Sequence, residues 1–309
     1  MLRFVGRRLL FILVVYVLIV FSVHMGMHMV RSTEVSRQAR HERVVSRLVE
    51  NGRQSWRETE TFLANVLRGD LGSVGTAGGA VPIVGILGET YWNSMGLLLV
   101  ALMGATLVGL LVGMIAALVK AKVITFPLLM LTIAGISAPS FFIGLLLQMG
   151  EIRYLALTGH RMVLMAGFGW DVEHMLMPVL VLAARPLAYL TRATFVSLSH
   201  IMQEDYMRTA FSKGLPFQRA VLGHALRNMW VPLMTAVGVS ARFALSTLPV
   251  VEFFFAWPGM GRYLLEAIDA RQTPVVAALA STMGLTFLLV NLLLDIAYRI
   301  VDPRTRQVS

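Results

Sequence analysis

Cysteine is missing from the chain altogether, which excludes disulfides, thiolate nucleophiles and cysteine-held metals in whatever compartment the protein occupies. Charge is the next scarcity. Asp, Glu, Lys and Arg make up 14% of the residues and hydrophobic ones 57%, whereas a soluble domain carries about 25% charged residues. So little charge cannot dress a water-facing surface, and the chain is read as a membrane protein. Acidic residues are few even within that set, 17 against 27 Lys and Arg. The basic excess sits beside apolar runs and not in one patch, which fits orientation in a bilayer and argues against nucleic acid as a partner. Catalytic signatures are missing as well. No G-x-x-x-x-G-K-[ST] loop occurs to cradle ATP phosphates, and neither H-E-x-x-H nor G-x-S-x-G is found. The seven histidines are scattered. His24 and His28 stand four apart with no carboxylate beside them, so they are read as interfacial packing. The expectation is a chain without catalytic residue, metal or cofactor of its own.

Long apolar runs are what the sequence has in quantity. A membrane helix needs about 20 mostly apolar residues, and six such stretches occur, at 9–30, 94–119, 123–150, 175–196, 228–250 and 273–300. The first follows "MLRFVGRR" and shows no small-residue cleavage site, so it is expected to stay as an anchor. "KAKV" makes a tight basic hairpin between the second and third. Basic clusters then set the orientation: Arg3, Arg7 and Arg8 precede the first span, Lys120 and Lys122 fill the hairpin, and Arg299, Arg304 and Arg306 close the chain. With six spans these fall on one side, the cytoplasmic side by the positive-inside rule, together with both termini and residues 197–227.

The segment 31–91 is thereby placed outside. Its arginines are interleaved with Glu34, Glu42, Glu50, Glu58 and Glu60, and its apolar residues Val35, Val44, Val45, Leu48 and Val49 suggest short amphipathic helices ahead of a glycine-rich turn region, "RGDLGSVGTAGGAVP". It is short for a core of its own and reads as a small cap. The organisation expected is 1–30 (tail and first span), 31–93 (extracytoplasmic segment) and 94–309 (five-span core with the loop 197–227).

Within that loop "EDYMRTAFSKGL" is a charged island in an otherwise apolar chain. Ile201, Met202, Tyr206, Thr209 and Ala210 recur near helical spacing among Glu204, Asp205, Arg208 and Lys213, which predicts a short amphipathic helix ending at Gly214. A second helix is predicted over 216–227, with Pro216 in its first turn. The pattern alone fits a docking surface and a helix lying on anionic lipid equally well.

These residues resemble the cytoplasmic loop of binding-protein-dependent ABC importer permeases of the dipeptide/oligopeptide/nickel family, which reads E-D-Y-x-R-T-A-x-x-K-G-L and then H-A-L-R-N-x-x-x-P. Glu204, Asp205, Tyr206, Arg208, Thr209, Ala210, Lys213, Gly214 and Leu215 match, and His224, Ala225, Leu226, Arg227, Asn228 and Pro232 continue the match. Four further stretches match in order: "RGDLGS" (68–73), "SAPSFFIGLLL" (137–147), "VVEFFFAWPGMGRYLLEAI" (250–268) and "NLLLDIAYRIVDPRTR" (291–306). The chain departs from the family after the first span, where "HMGMHMVRST" replaces P-G-D-P, and in the fourth, where Phe195 stands in place of the second arginine of R-x-T-R.

The resemblance implies an all-α type I ABC importer permease fold, with six transmembrane helices and a cytoplasmic coupling helix at 208–214. It implies that Glu204, Asp205, Tyr206, Arg208, Thr209, Ala210, Lys213 and Gly214 serve coupling to the ATPase. The implied partners are a second homologous permease, two cytoplasmic ATPase subunits that bind ATP and Mg, an extracytoplasmic substrate-binding protein and the lipid of a bacterial inner membrane. The implied solute is a di- or oligopeptide, with a nickel chelate or glutathione as alternatives.

Charges inside apolar spans are costly and mark candidate sites. Arg185 lies about 15 Å from the outer end of its expected span and Arg242 about 20 Å from the inner end of its own, at the usual helical rise. Either they line a translocation path and meet a peptide's carboxylate or carbonyls, or they pair with the other permease or snorkel. A self-contained secondary transporter or channel using Arg185, Arg242 and Asp295 as a relay is the competing class. It would not need the island, and the inverted repeats it should carry are not visible. Gly104, Gly109, Gly113, Pro139, Gly144, Pro178, Pro186 and Pro232 are expected to allow close packing and bends.

Overall fold

A computed structural model describes residues 2–35, 43–76, 79–119 and 122–301. Lys120, Arg304 and Arg306 of the basic clusters lie outside them. Lipid offers no hydrogen bonds to a backbone, so an apolar run there must satisfy its own N–H and C=O groups, which a helix does locally. Among the described residues six helices are long and apolar enough to cross a membrane: Val5–Val30, Ile83–Val119, Ser140–Thr158, Val172–Ile201, Phe217–Phe254 and Thr273–Ile300.

Three of the expected spans have different anatomy. The second starts at Ile83, eleven residues before the expected 94, because the helix continues back through residues 83–93 to the hairpin that precedes it. The third is not one helix but two, α4 (Lys122–Ser137) and α5 (Ser140–Thr158). Pro139 causes the break: it has no N–H, it disfavours the helical conformation at the residue before it, and it adopts φ −62° and ψ 139° ahead of α5. The fifth begins far earlier than residue 228. The helix predicted over 216–227 is not separate, because Phe217–Ala220 runs through a π-helical turn, Val221–Ala225, into Leu226–Phe254 without interruption. We label the short segment α8 and the long one α9.

The chain divides into two compact units. The first comprises Met1–Asn93 and Pro258–Leu292. It holds α1 (Leu2–Val35), α2 (Arg43–Arg68), the antiparallel hairpin β1 (Ser73–Thr76) with β2 (Gly79–Pro82), the start of α3 (Ile83–Val119), α10 (Met260–Asp269) and most of α11 (Thr273–Val301). Where short helices and a turn region were expected, there is one amphipathic helix of 26 residues followed by that hairpin. Residues 55, 59 and 62 recur on one face of α2, and that face lies on α1. Trp56 packs against Phe21, with centroids 6.1 Å apart, and Phe62 sits edge-on to His24 at 5.9 Å. Ser55 and Thr59 can be buried there because their hydroxyls donate to Asn51 O and Ser55 O, both at 2.7 Å. The same packing supplies the carboxylate that the local sequence lacked: His28 Nε2 lies 3.0 Å from Glu58 Oε2. No group of three or more His, Asp or Glu that could hold a metal occurs among the described residues.

The second unit comprises Ser94–Trp257 and Leu293–Ser309. Its core joins the later part of α3 to α6 (Val172–Ile201) and α9, through Leu97, Ala101, Leu182, Leu190, Ala244 and Leu248. Along α3, Ala101, Ala105, Gly109, Gly113 and Ala116 are buried at spacings of three and four, while Leu99, Met103, Leu107, Leu111 and Ile115 are exposed at a spacing of four. Both stripes are apolar, so size and not polarity decides which one meets another helix. A Cβ on Gly109 would come 2.9 Å from Leu190 Cβ, and one on Gly113 would come 2.6 Å from Thr191 O. Gly144 likewise admits Phe254, with 2.8 Å to its Cε1, whereas Gly104 has nothing within 4 Å. Of the four glycines expected to aid packing, Gly104 alone does not.

Asp171 caps α6, accepting from His174 N at 3.1 Å and lying 2.7 Å from His174 Nδ1 through its other oxygen. Burial would raise its pKa, but the His174 N–H, ring and charge and the Glu173 N–H together outweigh that and hold the carboxyl below its ordinary value of 3.8. A depressed carboxyl stabilises the fold above its unfolded pKa, and the contribution disappears as pH falls through the lower folded value. Between about pH 5 and pH 3 the melting midpoint of the wild type should therefore fall more steeply than that of Asp171→Asn, read by thermal denaturation in detergent.

Candidate functional site

The island forms α7 (Asp205–Ser212), a two-turn helix following α6 after a short turn. Met207 is its anchor. It is fully buried with Leu198, Ala220, Ala225 and Met229, so α6 and the α8–α9 helix both grip it. Tyr206 adds a polar tie by accepting from Asn228 Nδ2 at 3.0 Å. Glu204, at the N-cap position, makes no capping bond and instead lies 3.2 Å from His200 Nδ1. Asp205 and Arg208 approach to 3.5 Å with their side chains 96% and 72% exposed, so the pair holds nothing in place internally. Thr209 is exposed and donates to Asp205 O at 2.9 Å, while Ala210 is half-buried. Lys213 and Gly214 are exposed at the C-terminal end.

That end is sharply made. Gly214 N–H bonds Phe211 O at 2.9 Å and Leu215 N–H bonds Ala210 O at 3.1 Å, the pairing of a Schellman ending. It requires a left-handed residue, and Gly214 has φ +78° with nothing within 4 Å of a notional Cβ. Phe211 and Phe217 then stack across the turn, 6.3 Å apart and 11° from parallel. Because space is open, Gly214→Ala should cost only backbone strain, about 1–2 kcal/mol. It is expected to speed amide exchange of 209–217 several-fold, with Gly214→Asn milder, as read by hydrogen exchange and mass spectrometry.

Arg185 and Arg242 are both partly buried within long apolar helices. Arg185 lies roughly 20 Å along α6 from Val172 at 1.5 Å per residue. Its guanidinium carbon sits 4.4 Å over the ring of Phe243, next in sequence to Arg242, which puts the two positions at one level. Their surroundings differ. Arg185 lines a cavity of about 460 Å³ at the α4–α5 break, with Ser137, Pro139, Ser140 and Thr247. Arg242 does not line that cavity; it acts electrostatically on Tyr298.

Two buried acidic residues and one buried tryptophan stand outside the candidates that the sequence offers. Glu252, fully buried, accepts from Ser94 Oγ at 2.5 Å and joins α9 to α3. Ending the fifth span at 250 had placed it outside. Glu151, also buried, accepts from Met162 N at 2.7 Å and Val163 N at 3.3 Å, tying the loop after α5 back onto that helix. A single acidic residue just past an apolar run was the available signal in both cases. Trp257 is likewise buried, edge-on to Phe168 at 5.0 Å and Trp170 at 5.3 Å.

Residues 109–307 match the family described as binding-protein-dependent transport system inner membrane component. The chain is 30% identical to the dipeptide transport system permease protein DppB of Escherichia coli (strain K12), over 99% of each chain. It is 31% identical to the protein of that name from Haemophilus influenzae, over 79% of each. It is 32% identical to the glutathione transport system permease protein GsiC of Pectobacterium atrosepticum, over 79% of this chain and 78% of that one.

Proposed function

The chain belongs to the family of binding-protein-dependent transport system inner membrane components, and from that premise we propose that it is one wall of an ATP-powered import pathway for di- or oligopeptides. It pairs with a second, homologous permease. Two cytoplasmic ATPase subunits, which bind ATP and Mg, sit against α7, and an extracytoplasmic binding protein delivers the solute. Both termini face the cytoplasm. The observation that carries the reading is α7 itself: a helix with exposed charges, locked through Met207 and Tyr206 to two long apolar helices. A push on Asp205, Arg208 or Lys213 from below moves α6 and α9 as one, because Met207 cannot shift without them. Closure of the ATPases on ATP would turn the pathway outward, and hydrolysis would reset it. A self-contained transporter leaves α7 without a task.

The test is affinity purification of the tagged chain in mild detergent, mass spectrometry of what accompanies it, and ATPase assay of the complex. A second permease and Walker-bearing subunits should co-purify, with ATPase activity stimulated by solute-loaded binding protein. Recovery of the chain alone, still moving solute into liposomes without ATP, would overturn the proposal.

A further inference from the structure

We infer that the cavity at the α4–α5 break is a carboxylate-accepting subsite on the translocation path, with Arg185 as its cation. This rests on the permease reading and adds what the wall recognises. The cavity, about 460 Å³, falls within the usual range of small-molecule sites, roughly 300–1,000 Å³. Arg185 is the one charged residue among those lining it. The remainder are apolar apart from the hydroxyls of Ser137, Ser140 and Thr247, and Thr247 already donates to Phe243 O and Ala244 O at 2.9 and 3.1 Å. The guanidinium carbon lies 4.4 Å over the Phe243 ring. Nε is buried without a hydrogen-bond partner among the described residues.

A cation at membrane depth with an unsatisfied donor is costly unless an anion completes it, and a guanidinium fork fits the two oxygens of a carboxylate. Arg242 is not among the residues that line this cavity. One cation in an apolar surround would hold a terminal carboxylate while remaining indifferent to side chains. That suits a path for peptides of varied sequence.

The chain has no native cysteine, so Ser137→Cys reports the cavity alone. In the assembled complex in phosphatidylcholine nanodiscs, its modification by anionic sulfonatoethyl methanethiosulfonate and by the cationic trimethylammonium analogue is followed by mass spectrometry of this chain. The anionic reagent should react about tenfold faster relative to the cationic one than it does in Arg185→Gln, with the preference kept in Arg185→Lys. Dialanine should slow the anionic reagent and dialaninamide should not. A preference that is absent, or that survives Arg185→Gln, overturns the subsite. So does equal protection by the two peptides. Loss of the preference on adding anionic lipid would give the site to a headgroup phosphate and likewise overturn it. Partner subunits are scored on the same samples: if they co-purify while labelling ignores Arg185, the subsite falls and the permease reading stands. If the chain purifies alone while labelling still tracks Arg185, the permease reading falls, and with it the placing of this carboxylate site on a translocation path.

Discussion

Reversing Arg208 and Lys213 to glutamate together should strip the ATPase subunits from the purified complex and lower uptake at least about tenfold, because charge complementarity sets registry between docked surfaces and like-charge contacts cost several kcal/mol. The chain's own fold should be untouched. Arg208 and Lys213 are exposed, and the Arg208–Asp205 approach of 3.5 Å between largely exposed groups is of the class that contributes about 0–1 kcal/mol. Insertion, melting midpoint in detergent and recovery of the second permease should therefore match wild type. Met207→Ala supplies the contrast. It opens a cavity in a fully buried cluster at a cost of about 2–5 kcal/mol and should loosen α7 while leaving its charges in place. If the double reversal kept its ATPases, or lost the second permease with them, α7 would not be the coupling contact.

Apolar length made five of the six long apolar helices legible and the third only in part, because a bilayer demands about 20 residues of one character and leaves few alternatives. The island was legible because charge is expensive in such a chain and so stands out. What escaped depends on contacts between residues far apart in sequence. Met207 looks like any other methionine until α6 and α9 are brought around it. Glu58 and His28 lie thirty residues apart, so the carboxylate beside the histidines could not be read locally. Pro139 was noted as a bend, but whether a proline kinks a span or splits it depends on whether neighbouring residues re-satisfy the freed backbone groups. Here α4 closes with Ala138 N–H on Ala134 O at 2.8 Å, and α5 starts afresh. The π-helical turn at Val221–Ala225 had no sequence signature at all, since an extra residue in a helix changes its register and not its composition.

The buried stripe on α3 should be the least forgiving part of the second unit. Gly113→Leu is expected to separate α3 from α6. Its first side-chain carbon would stand 2.6 Å from both Thr191 O and Thr194 Cβ, and neither a backbone oxygen nor a β-branched carbon can swing aside. Overpacking of this kind costs about 1–3 kcal/mol where side chains alone must adjust, so the melting midpoint should fall by more than such a change produces, with early proteolysis of the inserted chain. Gly104→Leu, two and a half turns earlier on the same helix, meets nothing within 4 Å and faces out with Met103 and Leu107, so its effect should stay within about 0.5 kcal/mol. The two substitutions change composition and hydropathy identically. A difference between them can come only from which face meets α6, and equal effects would mean that residue size does not set the packing face of this helix.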